Sequence, residues 1–181
     1  MGVRGGRKYL DARLEEAKIR FNKHKRRNIF AEPGIHEFII VLDNLKSTFN
    51  IGKVFRSADA FGAREVHVIG TDFFDPAPAK GSFKWVPARF YEDFAACYEE
   101  IKSKGYTFFV LEAGGSSILP DTGSPVKSAF IFGHEQYGIS FDKSMYDDIQ
   151  TLSIPQFGQV ESLNVSIAAS LVMYEYIRQH K

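Results

Sequence analysis

Apolar residues occur along this chain in short continuous runs, which alternate with segments whose apolar positions have helical spacing. The run from Phe38 to Leu42 contains no polar residue, which is typical of a strand covered on both faces in a parallel sheet. Strand–helix alternation of this kind predicts an α/β fold, with a mainly parallel sheet and helices on both faces. The predicted strands lie at 38–42, 65–69, 106–111, 128–132 and 151–154, and the predicted helices at 50–61, 91–103 and 163–179.

Two connections add to this pattern. Gly62 follows the helix predicted at 50–61 and fits the position of a C-cap glycine. Residues 112–125 form a turn-rich connection of low regularity. Because ligands of open parallel sheets bind at the carboxyl ends of the strands, we expect the chemistry of this chain in the loops that follow its strands.

Charge is distributed unevenly between the first 35 residues and the rest of the chain. Residues 1–35 hold ten Lys or Arg and four acids, a net charge of +6, whereas residues 36–181 have a net charge of −5. We therefore expect a basic helical extension at 1–35 and a main domain at 36–181. The basic segment suggests binding to a polyanion such as nucleic acid, the alternative being a solvated helix with an incidental excess of basic residues. The candidate nucleic-acid-binding residues are Arg7, Lys8, Arg20, Lys23, Lys25, Arg26 and Arg27.

The spacing of Leu10, Leu14, Ala17 and Phe21 predicts a helix within this extension. These four residues are expected to pack on the main domain or on a partner, which leaves the basic residues outside. Residues 23–27 are expected to continue beyond the helix as a flexible basic tether.

Composition excludes several classes of protein. Hydrophobic content is 44% and charged content 25%, which is ordinary for a globular protein. No run of about 18 apolar residues is present, so no transmembrane helix is predicted. The basic start of the chain lacks the apolar stretch of a signal peptide. Cys97 is the single cysteine, which excludes an internal disulfide and favours the reducing cytoplasm.

Several common catalytic signatures are missing. The chain has neither a G-x-G-x-x-G loop after its first predicted strand nor a phosphate-binding G-x-x-x-x-G-K-[ST] loop. A G-x-S-x-G nucleophile motif is also absent. His134-Glu135 resembles half of a zinc-protease motif, but Gly138 occupies the position of the second histidine. Dehydrogenase, NTPase and common hydrolase functions therefore lose support, and no metal site is predicted.

Polar residues follow the first predicted strand and enter the helix after it. Asn50 lies in the first turn of this helix and Arg56 one to two turns later. Six residues correspond to about 600° of helix, so the two side chains do not share one face. Gly52 lies one turn before Arg56 and is expected to leave room beside the guanidinium. Arg56 pairing with Asp59 on a solvated face remains an alternative.

Two later loops have a similar density of polar groups. Gly133 and Gly138 flank Glu135 after the apolar strand at 128–132, and glycines permit the backbone to approach a ligand closely. The segment 154–170 passes from a strand end through a polar loop into an apolar helix. A structural turn remains the alternative for the glycine loop.

Taken in order and spacing, these loops resemble the three motifs of the SpoU/TrmH family of RNA ribose 2′-O-methyltransferases, in the SPOUT superfamily. The motifs are Asn50-x5-Arg56 with Ala60-Phe61-Gly62, then Phe132-Gly133-x-Glu135-x-x-Gly138-Ile139-Ser140, then Ile154-Pro155 followed by Val160-x-Ser162-Leu163-Asn164-Val165-Ser166. The resemblance covers about residues 37–179. Lys84-Trp85-Val86 also resembles, more weakly, the branch that methylates a D-loop guanosine of tRNA.

This resemblance implies properties that periodicity does not give. The expected fold is an α/β-knot, in which the C-terminal part of the sheet is threaded into a deep trefoil knot that binds S-adenosylmethionine. Family members act on tRNA or rRNA, and they are homodimers with active-site residues from both subunits and no membrane association. The implied cofactor-binding residues are Leu111, Glu112, Ala113, Gly133, His134, Gly138, Ile154, Gln156 and Leu163. The implied catalytic residues are Arg56, as the central one, with Asn50, Glu135, Ser162 and Asn164.

The reaction implied is transfer of a sulfonium methyl to a ribose 2′-hydroxyl. Because an arginine is effectively always protonated, we expect Arg56 to stabilise the developing alkoxide and bind the adjacent phosphate rather than act as a base. The alternative function is a non-catalytic RNA-binding protein or assembly factor that retains the fold. The presence of all five catalytic candidates argues against it.

RNA bases that are not paired require aromatic side chains on which to stack. The sequence offers five candidates near the middle of the chain, most of which we expect in the core or in a dimer interface. They are Phe73, Phe74, Phe83, Trp85 and Tyr91.

Overall fold

Within residues 3–46 and 48–180, which a computed structural model of the chain describes, seven strands form one sheet. Side chains are described from Ala12 onward, apart from that of Thr48. All the strand pairings in this part of the chain are parallel. The strands are β1 (Phe38–Asp43), β2 (Glu65–Ile69), β3 (Ala88–Tyr91), β4 (Thr107–Leu111), β5 (Ser117–Ile118), β6 (Ser128–Phe132) and β7 (Ile149–Ser153), in the spatial order β3-β2-β1-β6-β4-β7-β5.

In the part of the chain that the structure describes, four α-helices accompany the sheet and cover both of its faces. On one face, alternate residues of β1 such as Phe38 and Ile40 belong to a core that also contains residues of three helices. On the other face, Ile39 and Val41 belong to a second core with residues of the remaining helix. The first face is covered by α1 (Val3–Asn28), α2 (Thr48–Ala60) and α4 (Val165–Gln179), and the second by α3 (Phe94–Ser103). The predicted parallel α/β sheet with two covered faces is confirmed.

Two strands were not predicted from the sequence. The prediction of a helix from residue 91 is wrong, because residues 88–91 pair with β2 as strand β3 and α3 begins only after Asp93. The Asp93 side chain accepts a hydrogen bond from the backbone of Ala96 and so caps the helix. The turn-rich connection at 112–125 contains the two-residue strand β5, which pairs with β7.

The predicted end of α2 at Gly62 is confirmed. Gly62 has a φ of +64°, a conformation that residues with a Cβ rarely adopt. The backbone N–H of Ala63 donates to the carbonyl oxygen of Ala58, which closes the last turn of the helix. This turn leads the chain directly into β2.

The basic residues at 23–27 do not form a tether, because α1 continues through Asn28. The helix is fixed at this end by the buried Phe21 and by the Asn28 side chain, which donates to the carbonyl oxygens of Phe83 and Val86 at 2.6 and 2.7 Å. The side-chain oxygen of Asn28 (Oδ1) also accepts from the backbone nitrogen of Ala88 at 3.0 Å. The rigid end of α1 therefore replaces the flexible segment expected from the sequence.

The predicted apolar face of α1 is buried on the main domain in its C-terminal half. Ala17 and Phe21 are buried, whereas Leu14 is 48% exposed within the single chain, so its expected packing on a partner stays a prediction. The side chain of Leu10 lies outside the described residues, as do the side chains of Arg7 and Lys8. Packing of this face on the main domain is therefore shown for Ala17 and Phe21.

Candidate functional site

The loops that follow β4, β6 and β7 meet at the carboxyl ends of these strands; the last two carry the second and third sequence motifs. They line two adjoining pockets of about 110 and 320 Å³. Four residues belong to both pockets, so the two form one continuous cleft: Leu111, Ser162, Leu163 and Ala168. The first pocket is also lined by Glu112, Ala113, Ile154 and Gln156, and the second by Phe132, Gly133, His134, Glu135, Asn164 and Val165.

The structure brings together eight of the nine residues that the resemblance assigned to the cofactor. The ninth, Gly138, does not line the cleft, but its backbone pairs with that of His134 through hydrogen bonds of 2.7 and 2.9 Å. Its φ of +72° allows the loop to turn back on itself there. Gly138 therefore shapes the loop that carries His134 and Glu135.

Gly133 is required by a close approach of the backbone. A Cβ at this position would lie 2.4 Å from the carbonyl carbon of Gly138 and 2.6 Å from the nitrogen of Ile139. Such distances are far below van der Waals contact, and backbone atoms cannot move aside as a flexible side chain can. Gly133 thus allows the two ends of the loop after β6 to lie in contact.

The glycine loop after β6 is held at the end of β1 by a contact that was not predicted from the sequence. Ser140 donates to the buried carboxylate of Asp43 through both its backbone nitrogen and its hydroxyl, at 2.6 and 2.7 Å. An acid at the end of an apolar strand, with a serine two residues after a loop glycine, was the available signal. The pair fixes the glycine loop beside the first loop.

Asn50, at the start of α2, connects the first sequence motif with the loops after β6 and β7 through its side chain. It donates to Glu135 Oε1 at 2.8 Å and accepts from Asn164 Nδ2 at 3.4 Å. The second Glu135 oxygen accepts from the backbone nitrogen of Lys46 at 3.1 Å. Asn50 is 5% exposed, and its two partners Glu135 and Asn164 hold its buried amide in one orientation.

Asn164 also caps the N-terminus of α4. Its side-chain oxygen accepts from the backbone nitrogen and the hydroxyl of Ser166, which makes it the N-cap of the helix. Ser162 is exposed and borders both pockets. The predicted strand-to-helix turn is therefore present, and it places both residues at the cleft.

Arg56 lies apart from the other catalytic candidates. It is exposed on α2 and does not line either pocket. Among the described residues it has no acidic partner, so the alternative pairing with Asp59 is not formed. The expectation that Gly52 leaves room beside it is wrong, because a Cβ there would meet Asp75 and Pro78 at 3.2 Å.

The lining residue Glu112 forms an ion pair with Lys143. Lys143 Nζ lies 2.8 Å from a carboxylate oxygen of Glu112, and both side chains are about one-third exposed. The lining contains two carboxylates, Glu112 and Glu135, and otherwise consists of apolar side chains, a histidine and neutral polar groups. A ligand with an apolar ring system, polar ends and a positive centre is compatible with these walls.

Several residues that line the cleft were not expected as lining residues. Phe132, Val165 and Ala168 contribute apolar surface at the ends of β6 and α4. The first two lie inside the sequence motifs but were not assigned a role there. Ala168 lies one helical turn beyond Asn164, and such spacing alone could have placed it on the same face.

The described RNA-binding candidates lie along the second half of α1, and all are exposed or partly exposed. Only Arg20 has an acidic partner within the described residues, at 3.4 Å from Asp75. The described part of the chain contains no helix long and apolar enough to cross a membrane. The other members of the basic set that the structure describes are Lys23, Lys25, Arg26 and Arg27.

Comparison with known proteins identifies similar sequences and folds. The sequence model of the SpoU rRNA methylase family matches residues 37–174. A tRNA (guanosine(18)-2′-O)-methyltransferase of Thermus thermophilus is 30% identical over 150 residues, which are 79% of this chain and 75% of that protein.

Two solved structures are similar in fold and sequence. The SpoU methyltransferase AviRb of Streptomyces viridochromogenes, in complex with its cofactor AdoMet, has a TM-score of 0.72 and 28% identity. The match covers 82% of this chain and only 60% of AviRb. A structure described by the 2-OH methylation of C/U34 on tRNA has a TM-score of 0.69 and 28% identity, covering 80% of this chain and 97% of the other.

Proposed function

The chain belongs to the SpoU rRNA methylase family, and on this basis we propose that it methylates a ribose 2′-hydroxyl of tRNA, with S-adenosylmethionine as cofactor. The observation that carries the proposal is that the second and third motif loops line one cleft, and that Asn50 of the first motif is joined by hydrogen bonds to Glu135 and Asn164 of that lining. tRNA is favoured over rRNA by the Thermus relative and by the structure concerned with C/U34 of tRNA. A D-loop guanosine is the favoured target, since the same relative acts on guanosine 18.

The cleft fits this cofactor in the chemistry of its lining. Leu111, Ile154 and Leu163 supply apolar surface for the adenine and the methylene groups, while Gln156 and Ser162 supply neutral polar groups. Ala113, Gly133, His134 and Glu112 complete the proposed binding site, with Gly138 fixing the loop around it. The bound cofactor supplies a methyl group on a positively charged sulfur, whose charge is lost on transfer.

The residues of the chain must align the nucleophile and assist departure of its proton. Glu135 fixes the Asn50 amide, which leaves a defined polar surface for the incoming ribose. We assign Ser162 and Asn164 to the same surface, since both border the cleft. A guanidinium near the 2′-oxygen would stabilise the negative charge that develops as the proton leaves, and we assign this role to Arg56.

The position of Arg56 supports a homodimer in which each site is completed by the partner subunit. Its guanidinium is exposed and outside the cleft of its own chain. The neighbouring helix α4 presents an apolar stripe of Ile167, Leu171 and Tyr174, which are 53%, 41% and 56% exposed. The hydroxyls of Ser57 and Ser170 lie 2.8 Å apart and join α2 to α4. A second copy covering the stripe would therefore lie beside Arg56.

The expected trefoil knot is part of the proposal. The chain after β4 runs alongside β7, where the backbone of Leu119 donates to Ser153, and Gly115 lies against Leu152. The segment that follows β7 returns to the loops after β4 and β6 and lines the cleft with them. This double contact supports threading of the C-terminal part. We place the enzyme in the cytoplasm, in agreement with the buried free thiol of Cys97.

The basic extension at 1–35 is proposed to bind RNA, and residues 36–181 to form the catalytic domain. Contacts from lysine and arginine to phosphates would give affinity that depends on salt but carries little sequence information. This assignment includes Arg7 and Lys8 together with the basic residues of the second half of α1.

Isothermal titration calorimetry separates this proposal from a non-catalytic RNA-binding protein. The enzyme is expected to bind S-adenosylmethionine at one site per chain. Leu163→Glu, which places a charge on the apolar wall of the cleft, should abolish the binding heat. Binding of RNA without detectable binding of S-adenosylmethionine would refute the enzymatic assignment.

A further inference from the structure

Trp85 is an exposed aromatic side chain that the proposed reaction does not use. It is 60% exposed, whereas Phe74 and Phe83 are fully buried and Phe73 and Tyr91 are partly buried. Of the five aromatic candidates for contact with RNA bases, only Trp85 therefore presents most of its ring to solvent.

The backbone on both sides of Trp85 is fixed. The carbonyl oxygen of Phe83, two residues before it, accepts from the Asn28 amide, and so does that of Val86, one residue after it. The backbone nitrogen of Trp85 donates to the carbonyl oxygen of Ser82 at 2.8 Å. An exposed ring on an anchored backbone loses little conformational entropy when it binds a partner.

One cation, Lys84, lies beside this ring, and others lie on the neighbouring end of α1. Lys84 Nζ lies 4.9 Å from the centre of the Trp85 ring, a distance at which the two attract each other. Lys84 also acts on His24 of α1: burial lowers the pKa of His24, and the positive charges of Lys84, Arg20, Lys23 and Arg27 lower it further. The centre of the His24 ring lies 6.4 Å from that of the Phe83 ring, and Asn28 contacts the backbone on both sides of Trp85, so this end of α1 lies beside the segment that carries Lys84 and Trp85.

Most of these cations lack a counter-charge. Among the described residues, Lys23, Arg27 and Lys84 have no acidic partner within 4.0 Å, whereas Arg20 pairs with Asp75. Adjacent like charges repel each other, and a bound polyanion would relieve the repulsion. An exposed ring without charges would suit a protein partner equally well, but an aromatic ring among unpaired cations favours nucleic acid.

We propose that Trp85 and the cations beside it form a binding platform for an unpaired nucleotide of the RNA substrate. The indole ring stacks on the base, while Lys84, Lys23 and Arg27 bind the flanking phosphates. Duplex RNA does not offer a free base face, so the platform selects single-stranded or loop nucleotides. The proposal rests on the RNA-methyltransferase function, and it adds a base contact to the phosphate contacts of α1.

Trp85 is the only tryptophan of the chain, so its fluorescence reports on the platform directly. The full-length protein is titrated with a single-stranded RNA oligonucleotide and, separately, with the same strand in a duplex. We expect strong quenching of Trp85 emission by the single strand and little by the duplex. Equal quenching by both, or none by the single strand, would overturn the proposal.

Substitutions test the stacking and the charge independently. Trp85→Ala should weaken binding of the single strand roughly 5- to 150-fold, the range found for loss of one stacked base, while Trp85→Phe should restore most of it. Lys84→Ala should weaken binding severalfold and flatten its salt dependence. Lys127→Ala is the matched control, because Lys127 also lies over an aromatic ring, that of Tyr106, but binds a different part of the chain. Equal losses in the Lys84 and Lys127 variants would contradict the proposal.

Two further outcomes separate this platform from the enzymatic function. Methyl transfer to RNA without quenching would refute the platform and leave the enzyme assignment intact. Failure to bind S-adenosylmethionine would refute the enzyme assignment, whatever the fluorescence.

If Trp85 is protected from acrylamide in the absence of RNA, and this protection disappears on dilution, the ring lies between two copies of the chain and the platform is refuted.

Discussion

The side-chain amide of Asn50 donates a 2.8 Å hydrogen bond to the carboxylate of Glu135, a residue 85 positions later in the chain. The bond joins the start of α2 to the glycine loop after β6. Because Lys46 donates to the other carboxylate oxygen, Glu135 receives two donors from the first loop. This contact makes two separate sequence motifs into one site.

Glu135→Gln should disturb that site without unfolding the protein. A glutamine offers only one acceptor oxygen and directs an NH₂ group at a donor, so the Asn50 amide loses its fixed orientation. We expect kcat to fall about 100-fold, since misplacement of about 1 Å can cost that much, while the Kd for S-adenosylmethionine changes less than about threefold. Glu99→Gln, on the exposed surface of α3, is the matched control. Unchanged turnover in Glu135→Gln would exclude a positioning role.

Arg56 should act across the dimer interface. Arg56→Ala and Leu163→Glu subunits are each expected to be inactive as homodimers, the first in catalysis and the second in cofactor binding. A heterodimer purified through two different tags contains one site with both native residues if Arg56 acts in trans, so about half of the wild-type activity should return. If Arg56 acts within its own chain, every site carries a defect and activity stays absent. That result would contradict the shared site.

Gly133→Ala should destabilise the glycine loop. The added Cβ would lie 2.4 Å from backbone carbon of Gly138, and relief of this overlap requires the loop to move. We expect a loss of about 1–3 kcal/mol in the free energy of unfolding, measured with urea, and weaker binding of S-adenosylmethionine. Gly123→Ala is the control, because a Cβ at Gly123 meets no atom within 4 Å. Equal stability of the two variants would refute the packing argument.

A buried polar cluster at β2 and α3 should make stability depend on pH. Burial alone would raise the pKa of Glu65, but hydrogen bonds from His67 and Arg89 outweigh it and lower the pKa to about 2. Burial lowers the pKa of His67, an effect that Glu65 only partly opposes. A neutral His67 can donate to Glu65 at 2.9 Å and accept from the thiol of Cys97 at 3.4 Å.

Both lowered pKa values make the folded protein less stable as the pH falls. The unfolded chain binds a proton at His67 more readily than the folded chain below about pH 6.5, and at Glu65 between about pH 4.5 and 2. The free energy of unfolding should therefore fall as the solution is acidified below pH 6.5, with Glu65 contributing up to about 3 kcal/mol of the loss at the acidic end. Urea unfolding across this range measures it. Stability that rises between pH 6.5 and 4.5 would contradict the assignment.

Five of the seven strands in the described part of the chain could be predicted from local patterns, whereas the residues of the cleft came from the family resemblance, and eight of the nine predicted cofactor residues line it. Continuous apolar runs such as β1 and β6 are long enough to be identified as buried strands. Strand β3 was missed because its residues are only partly buried and lack a continuous apolar run. Its strand conformation is stabilised by pairing with β2, which no local pattern reveals.

The end of α1 illustrates a second limit. The residues at 23–27 are so polar that the sequence predicted a tether, yet packing of Phe21 and three hydrogen bonds of Asn28 keep the segment helical. Such anchors join residues more than 50 positions apart, beyond the reach of helical periodicity. For the same reason the exposed position of Arg56, outside the cleft of its own chain, could not be derived from its motif.

Nucleoside mass spectrometry after reaction with unmodified tRNA tests the central claim most directly. The tRNA is incubated with the full-length protein and isotope-labelled S-adenosylmethionine, then digested and mapped by fragment. We predict a labelled 2′-O-methyl group on one ribose, favoured at a D-loop guanosine, and its loss both with Arg56→Lys and with a 2′-deoxy nucleotide at that position. A label on a base, or no label on any RNA in a protein that binds S-adenosylmethionine, would contradict the account.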